Sequence, residues 1–193
     1  MANKILLSLF QKPQTVFTMQ EIALLFPQIP YGSLKKRMSY YAKTGSIKKL
    51  FRGIYAKDQY DIFELANKIY APSYISLETV LQRAGVIFQY YDSIFSVSYV
   101  SRTVKADGKT IVYRRLKKEI LLNKQGIEEQ ENVVIASPER AFLDAVFLYR
   151  DYHFDNLSSL NWEKVMDLKE IYRSGVFQKR VEEYYQIFKK DHV

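Results

Sequence analysis

The whole net charge of this chain, +8, lies in its first 58 residues. Those residues carry ten Lys and Arg and only two acids, Glu21 and Asp58, whereas residues 59–193 carry nineteen side chains of each sign. The chain therefore divides in two before any secondary structure is assigned. Residues 1–58 are a cationic module suited to a polyanion, and residues 59–193 are a neutral module with another task. A length of 193 residues suits one large domain or two small ones, and 48% hydrophobic content is ordinary for globular cores.

The absence of cysteine excludes disulfides, thiolate metal sites and a cysteine nucleophile. The two histidines, His153 and His192, do not form a ligand spacing, and no metal or other cofactor is expected. The apolar run near the N-terminus is too short to span a membrane and has no small-residue cleavage site. It reads as a helix, with no membrane association, and the protein is assigned to the cytoplasm.

Local signals in residues 1–58 predict three helices and a hairpin. Ile5, Leu6, Leu9 and Phe10 share one face of a helix over Asn3–Gln11, and Pro13 lies just beyond its end. Thr18 and Glu21 form a capping box that opens a short helix with Ile22, Leu25 and Phe26 inward, ended by Pro27. A third helix runs over Tyr31–Thr44, with Gly45 at a left-handed cap. Its Leu34, Met38 and Tyr41 face a core. Ser33, Lys36, Arg37 and Tyr40 form a second, cationic stripe flanked by Lys35 and Lys43. Residues 46–56 give two short strands bent at Arg52-Gly53. This is the order of a winged helix-turn-helix, in which the third helix enters the major groove and the hairpin is the wing. The candidate DNA contacts are Ser33, Lys35, Lys36, Arg37, Tyr40 and Lys43 on the helix. Lys48, Lys49 and Arg52 on the wing are expected to touch phosphates.

Residues 59–193 read as a mixed α+β domain, helical after about residue 137. A helix over Asp61–Tyr70 precedes Pro72, and Ser76 is expected to cap a helix reaching Ala84. Residues 94–101 and 110–116 alternate as strands, with the hairpin signal Asp107-Gly108 between them. A strand over Val133–Ala136 leads into Ser137 as N-cap and Pro138 as first helical residue. Further helices cover Trp162–Arg173, capped by Asn161, and Phe177–Lys189. The sequence holds no phosphate loop, metal-ligand spacing or nucleophile elbow, so it is not read as an enzyme. The acid–base candidates have structural readings. Glu139 suits a helix N-terminus, Arg140 and Asp144 are spaced to pair, and His153 lies near a helix end.

Three segments resemble signatures of AbiEi-type antitoxins, in the same order. They are the wing end Phe51-Arg52-Gly53-Ile54-Tyr55-Ala56, the stretch Ser73-Tyr74-Ile75-Ser76-Leu77-Glu78-Thr79-Val80-Leu81 with Ala84-Gly85-Val86-Ile87, and Ile135-Ala136-Ser137-Pro138-Glu139-Arg140-Ala141-Phe142-Leu143-Asp144. Thr79 and Val80 depart from the family pattern, which prefers smaller residues there. The resemblance covers most of residues 1–150. It implies a type IV toxin–antitoxin operon of abortive infection, connected with phage defence. The N-terminal domain would repress the operon at inverted repeats in its own promoter. The C-terminal domain would counteract a nucleotidyltransferase-like toxin, without need of a stable complex. Two other readings stay open: an RNA-binding adaptor, and a stand-alone transcriptional regulator with no toxin partner.

Overall fold

A computed structural model describes residues 2–190, so His192 lies outside the described residues. The chain is mixed α+β and separates into two units, Met1–Ala71 and Pro72–Val193. No helix among the described residues is long and apolar enough to cross a membrane.

The first unit runs α1 (Ala2–Phe10), β1 (Val16–Thr18), α2 (Met19–Leu25), α3 (Tyr31–Lys43), β2 (Lys48–Phe51), β3 (Ile54–Ala56) and α4 (Ile62–Ile69). Helix α2 starts where the Thr18 hydroxyl accepts from the Glu21 backbone N–H while the Glu21 carboxylate accepts from the Thr18 backbone N–H. Beyond the end of α3, Gly45 takes φ +73°, a conformation cheap only for glycine. Ile5 and Leu9, Ile22 and Phe26, and Leu34, Met38 and Tyr41 meet in one core with Ile47 and Tyr55. Leu25, expected inward, stands partly exposed at 38%. Strand β1 was not expected. It pairs antiparallel with β3, so the hairpin becomes a three-stranded sheet of order β1-β3-β2.

Helix α4 belongs to this unit, which moves the boundary from residue 58 to Ala71. The cause is a polar link that the charge count could not reveal. The buried Glu64 carboxylate accepts from the Thr15 backbone N–H (2.8 Å) and the Thr15 hydroxyl (2.6 Å). One turn on, Lys68 donates to Glu21 at 2.7 Å and lies 3.4 Å from Glu64.

The second unit runs β4 (Ser73–Ile75), α5 (Glu78–Arg83), β5 (Ile94–Ser98), β6 (Arg102–Ala106), β7 (Lys109–Arg115), α6 (Lys118–Leu121), β8 (Ile127–Gln130), β9 (Val133–Ala136), α7 (Pro138–Leu148), α8 (Trp162–Leu168) and α9 (Gly175–Lys190). Its sheet has the order β6-β7-β5-β4-β9-β8, with β5/β7 and β4/β9 parallel and the other pairs antiparallel. The strands expected over 94–101 and 110–116 are therefore parallel neighbours. The Asp107-Gly108 turn joins β7 to an extra strand, β6. Ser137 caps α7 as expected, accepting from the Arg140 N–H, with Pro138 in the first turn. Asn161 likewise caps α8.

Ser76 does not cap α5, whose N-cap is Leu77 at φ +57°. The Ser76 hydroxyl instead donates to Asp144, 68 residues away, at 2.8 Å. Asp144 is the acceptor of a wholly buried group. Tyr74 donates to it at 3.0 Å and Tyr172 at 2.6 Å. Arg140, one helical turn away, lies 3.5 Å from it. Both ions are 0% exposed. The Arg140 guanidinium also donates to Tyr74 Oη and to the carbonyls of Ile120 and Gln125. Burial pushes both phenols well above their ordinary pKa, with the Asp144 charge adding to it, so they remain protonated donors.

The residues after 151 complete this core. Phe142 of α7 packs on Phe154, Trp162 and Tyr184 at ring separations of 4.8, 5.7 and 5.7 Å. Phe177 and Val181 of α9 are fully buried.

Two outcomes are expected. A fragment ending at residue 58 loses Glu64 and Lys68 and should melt at least ~10 °C below one ending at 71, by circular dichroism. In the full chain, Asp144→Ala strands Arg140 in the core and should cost ~3–5 kcal/mol, whereas Tyr172→Phe removes one bond to a charge and should cost ~1.5–3 kcal/mol in urea titration.

Candidate nucleic-acid interface

Helix α3 buries Leu34, Met38 and Tyr41 and leaves the rest of its circumference to solvent or to the hairpin. At about 100° per residue, Lys36 and Lys43 point directly away from that core, and Tyr40 leans from there toward the Ser33 side. Ser33 and Arg37 fall on one flank, Tyr31 and Lys35 on the other. Ser33, Lys35, Lys36, Tyr40 and Lys43 are exposed and Arg37 is half-buried. Tyr40 stacks edge-on against Tyr41 with ring centroids 6.1 Å apart.

The Tyr31–Lys35 flank faces the β2–β3 hairpin across a concavity of about 610 Å³. Lys49, Phe51 and Arg52 form the opposite wall, and Tyr55 and Gln20 are among the other lining residues. Gly53, at φ +72°, allows the tight turn that carries Arg52. The sequence stripe of Ser33, Lys36, Arg37 and Tyr40 is thus not the face that meets the hairpin. Lys35, read there as a flanking residue, is the helix cation brought together with Lys49 and Arg52. Lys48 is set apart from them. Its ammonium lies 3.2 Å from the Asp58 carboxylate and over the Tyr60 ring.

No carboxylate lines the concavity, and none pairs with Lys35, Lys36, Arg37, Lys43, Lys49 or Arg52 among the described residues. The reason lies in the other acids of the unit. Glu21 and Glu64 turn onto Lys68 and the threonines, Asp58 onto Lys48, and Asp61 onto the Phe63 N–H as cap of α4. Burial pushes the Glu21 carboxyl up, but Lys68 and the Thr18 N–H and hydroxyl outweigh it and hold its pKa below the ordinary value. Lys68 also lines the concavity, with its charge already countered by these two carboxylates. What remains are three uncompensated cations on one concave face, an arrangement that holds anions by charge and by N–H donation.

The sequence reading did not place Tyr31, Phe51 or Tyr55 among the contact residues. Tyr31 stands one helical turn before Lys35, and that spacing is a signal for it. Tyr55 shows no such signal, because only the sheet brings it beside Tyr31. Its phenol is pushed above the ordinary value by burial and then by the Tyr31 hydroxyl. The acid–base candidates of the second unit have other partners. Asp144 is sealed in the core, Glu139 accepts from the Asn161 N–H at 3.2 Å, and the largely exposed His153 lies 3.6 Å from Asp155.

No protein-family model matches the sequence, and no curated protein matches it.

Proposed function

We propose that the first unit is a winged helix-turn-helix that binds double-stranded DNA, with α3 as the recognition helix and β2–β3 as the wing. The single observation behind this is the convergence of Lys35, Lys49 and Arg52 on one concave face without a carboxylate. The exposed Ser33, Lys36 and Tyr40 and the half-buried Arg37 then read bases, and Lys35, Lys49 and Arg52 grip phosphates. We further propose that the chain is a cytoplasmic antitoxin of AbiEi type. It represses its own operon at inverted repeats through the first unit and counteracts a nucleotidyltransferase-like toxin through the second. This rests on the three resembling segments. It is supported by the adjacency of two of them, whose Ile75 and Ile135 are parallel partners and whose Tyr74 and Ser76 bond Asp144.

Two measurements test the proposal. If about 4–6 phosphates are neutralised per module, log K for duplex DNA falls with log salt at a slope of about −4 to −5. Arg37→Ala should cost ~1–3 kcal/mol on the operator and little on random duplex, whereas Lys49→Ala or Arg52→Ala should weaken both and lower the slope by about 1. A flat salt dependence, or tighter binding to structured RNA than to duplex, would sink the DNA assignment. For the antitoxin assignment, toxin and full-length chain are co-expressed. The double variant Arg37→Ala/Arg52→Ala should lose repression in a promoter–reporter assay while still rescuing growth. Loss of rescue in that variant, with its melting curve unchanged, would show that the two tasks are not divided between the units. A tight stoichiometric complex in a pull-down would contradict type IV behaviour alone.

A further inference from the structure

We propose that the concavity between α3 and the hairpin is a binding site for a nucleoside 5′-polyphosphate, which competes there with DNA. Its volume, about 610 Å³, falls in the range of small-ligand sites. Its walls are of two kinds. Lys35, Lys49 and Arg52 supply three uncompensated cations, a match for two or three phosphates. Tyr31 and Phe51 supply aromatic rings able to stack on a base, a contact indifferent to which base it is.

Tyr55 adds a hydrogen-bond donor to the lining, which a plain rim for a DNA backbone does not need. It is 3% exposed as a residue and lines the concavity, and its hydroxyl, bonded to no protein group, is not among the fully buried unpartnered atoms of the described residues. Such a hydroxyl can exchange its contact with water for a hydrogen bond to a ligand acceptor atom. Duplex DNA is a convex rod whose phosphates meet exposed cations such as Lys49 and Arg52. A compact polyphosphate fits inside the concavity, within reach of a hydroxyl in its lining. Because both ligands use the same cations, occupancy by one excludes the other. That competition rests on the DNA reading, whereas nucleotide binding itself does not.

The full-length chain is titrated calorimetrically with ATP and with inorganic triphosphate, and separately with a labelled operator duplex in the presence and absence of ATP. The expected results are one saturable ATP site, weaker binding of inorganic triphosphate, and displacement of the duplex by ATP. Arg52→Ala and Lys49→Ala, both on exposed positions, should each weaken ATP at least about tenfold, and Tyr55→Phe severalfold. Melting curves with and without ATP supply a second readout, since the ligand raises the midpoint of the wild-type chain and not of Arg52→Ala. Absence of saturable ATP binding while the duplex still binds overturns the nucleotide site and leaves the DNA reading standing. ATP binding without any duplex binding does the reverse. Equal affinity for ATP and inorganic triphosphate, or an unchanged affinity in both cation variants, also overturns the proposal.

Discussion

Every carboxylate of the first 71 residues is engaged by a partner away from the concave face, and the exposed positive surface of that unit follows from this. There are four: Glu21, Asp58, Asp61 and Glu64. Glu64 is the central one. Buried against Thr15 and Lys68, it holds α4 on the β1 end of the sheet, and Lys68 in turn engages Glu21, which closes the capping box of α2. A carboxylate on the open face would have cancelled part of the field there. Placing the four elsewhere lets Lys35, Lys36, Arg37, Lys49 and Arg52 act together on whatever anion approaches. The same placement stabilises the fold, since hydrogen bonds to a buried charge are among the stronger ones a chain makes.

The second unit uses a buried ion pair differently. Arg140 and Asp144 are fully out of water, and a pair of that kind gives little net stability compared with apolar side chains of similar volume. Its consequence is positional. Asp144 takes hydroxyls from Tyr74 within β4, from Ser76 in the loop after it, and from Tyr172 far along the chain. Arg140 takes carbonyls from α6 and the loop before β8. Any other register of these elements would leave a buried charge short of partners, at a cost of several kcal/mol. Gly126 shows how closely they fit. A Cβ there would come within 3.0 Å of both the Arg140 Cβ and the Leu168 side chain. The segments after residue 151 are thus structural members of the unit, through Tyr172, Trp162, Phe177 and Tyr184.

Caps and helical faces were legible because their causes are local. The Thr18–Glu21 box, Ser137 with Pro138, Asn161 and the Leu34–Met38–Tyr41 stripe each involve residues no more than seven apart, and all appear as read. The cationic face was legible in part. The residue types on α3 and the hairpin were evident, but Lys35 was read as a flank and Lys48 as a free cation. Which side of a helix meets a hairpin, and which lysine finds Asp58, depends on how the strands pack.

The sequence by itself determined the division into a cationic and a neutral module, the helices of the first unit, the bend at Arg52-Gly53 and the pairing of Arg140 with Asp144. Each comes from composition or from contacts within a few turns of chain. Only the tertiary structure decided that β1 completes the first sheet, that α4 belongs to the first unit, that β5 and β7 lie parallel, and that Ser76 serves Asp144 and not a helix cap. These depend on partners 17 to 68 residues apart. A serine hydroxyl satisfies a helix N–H or a distant carboxylate equally well. Which of the two it meets is settled when a buried charge elsewhere in the chain needs a donor.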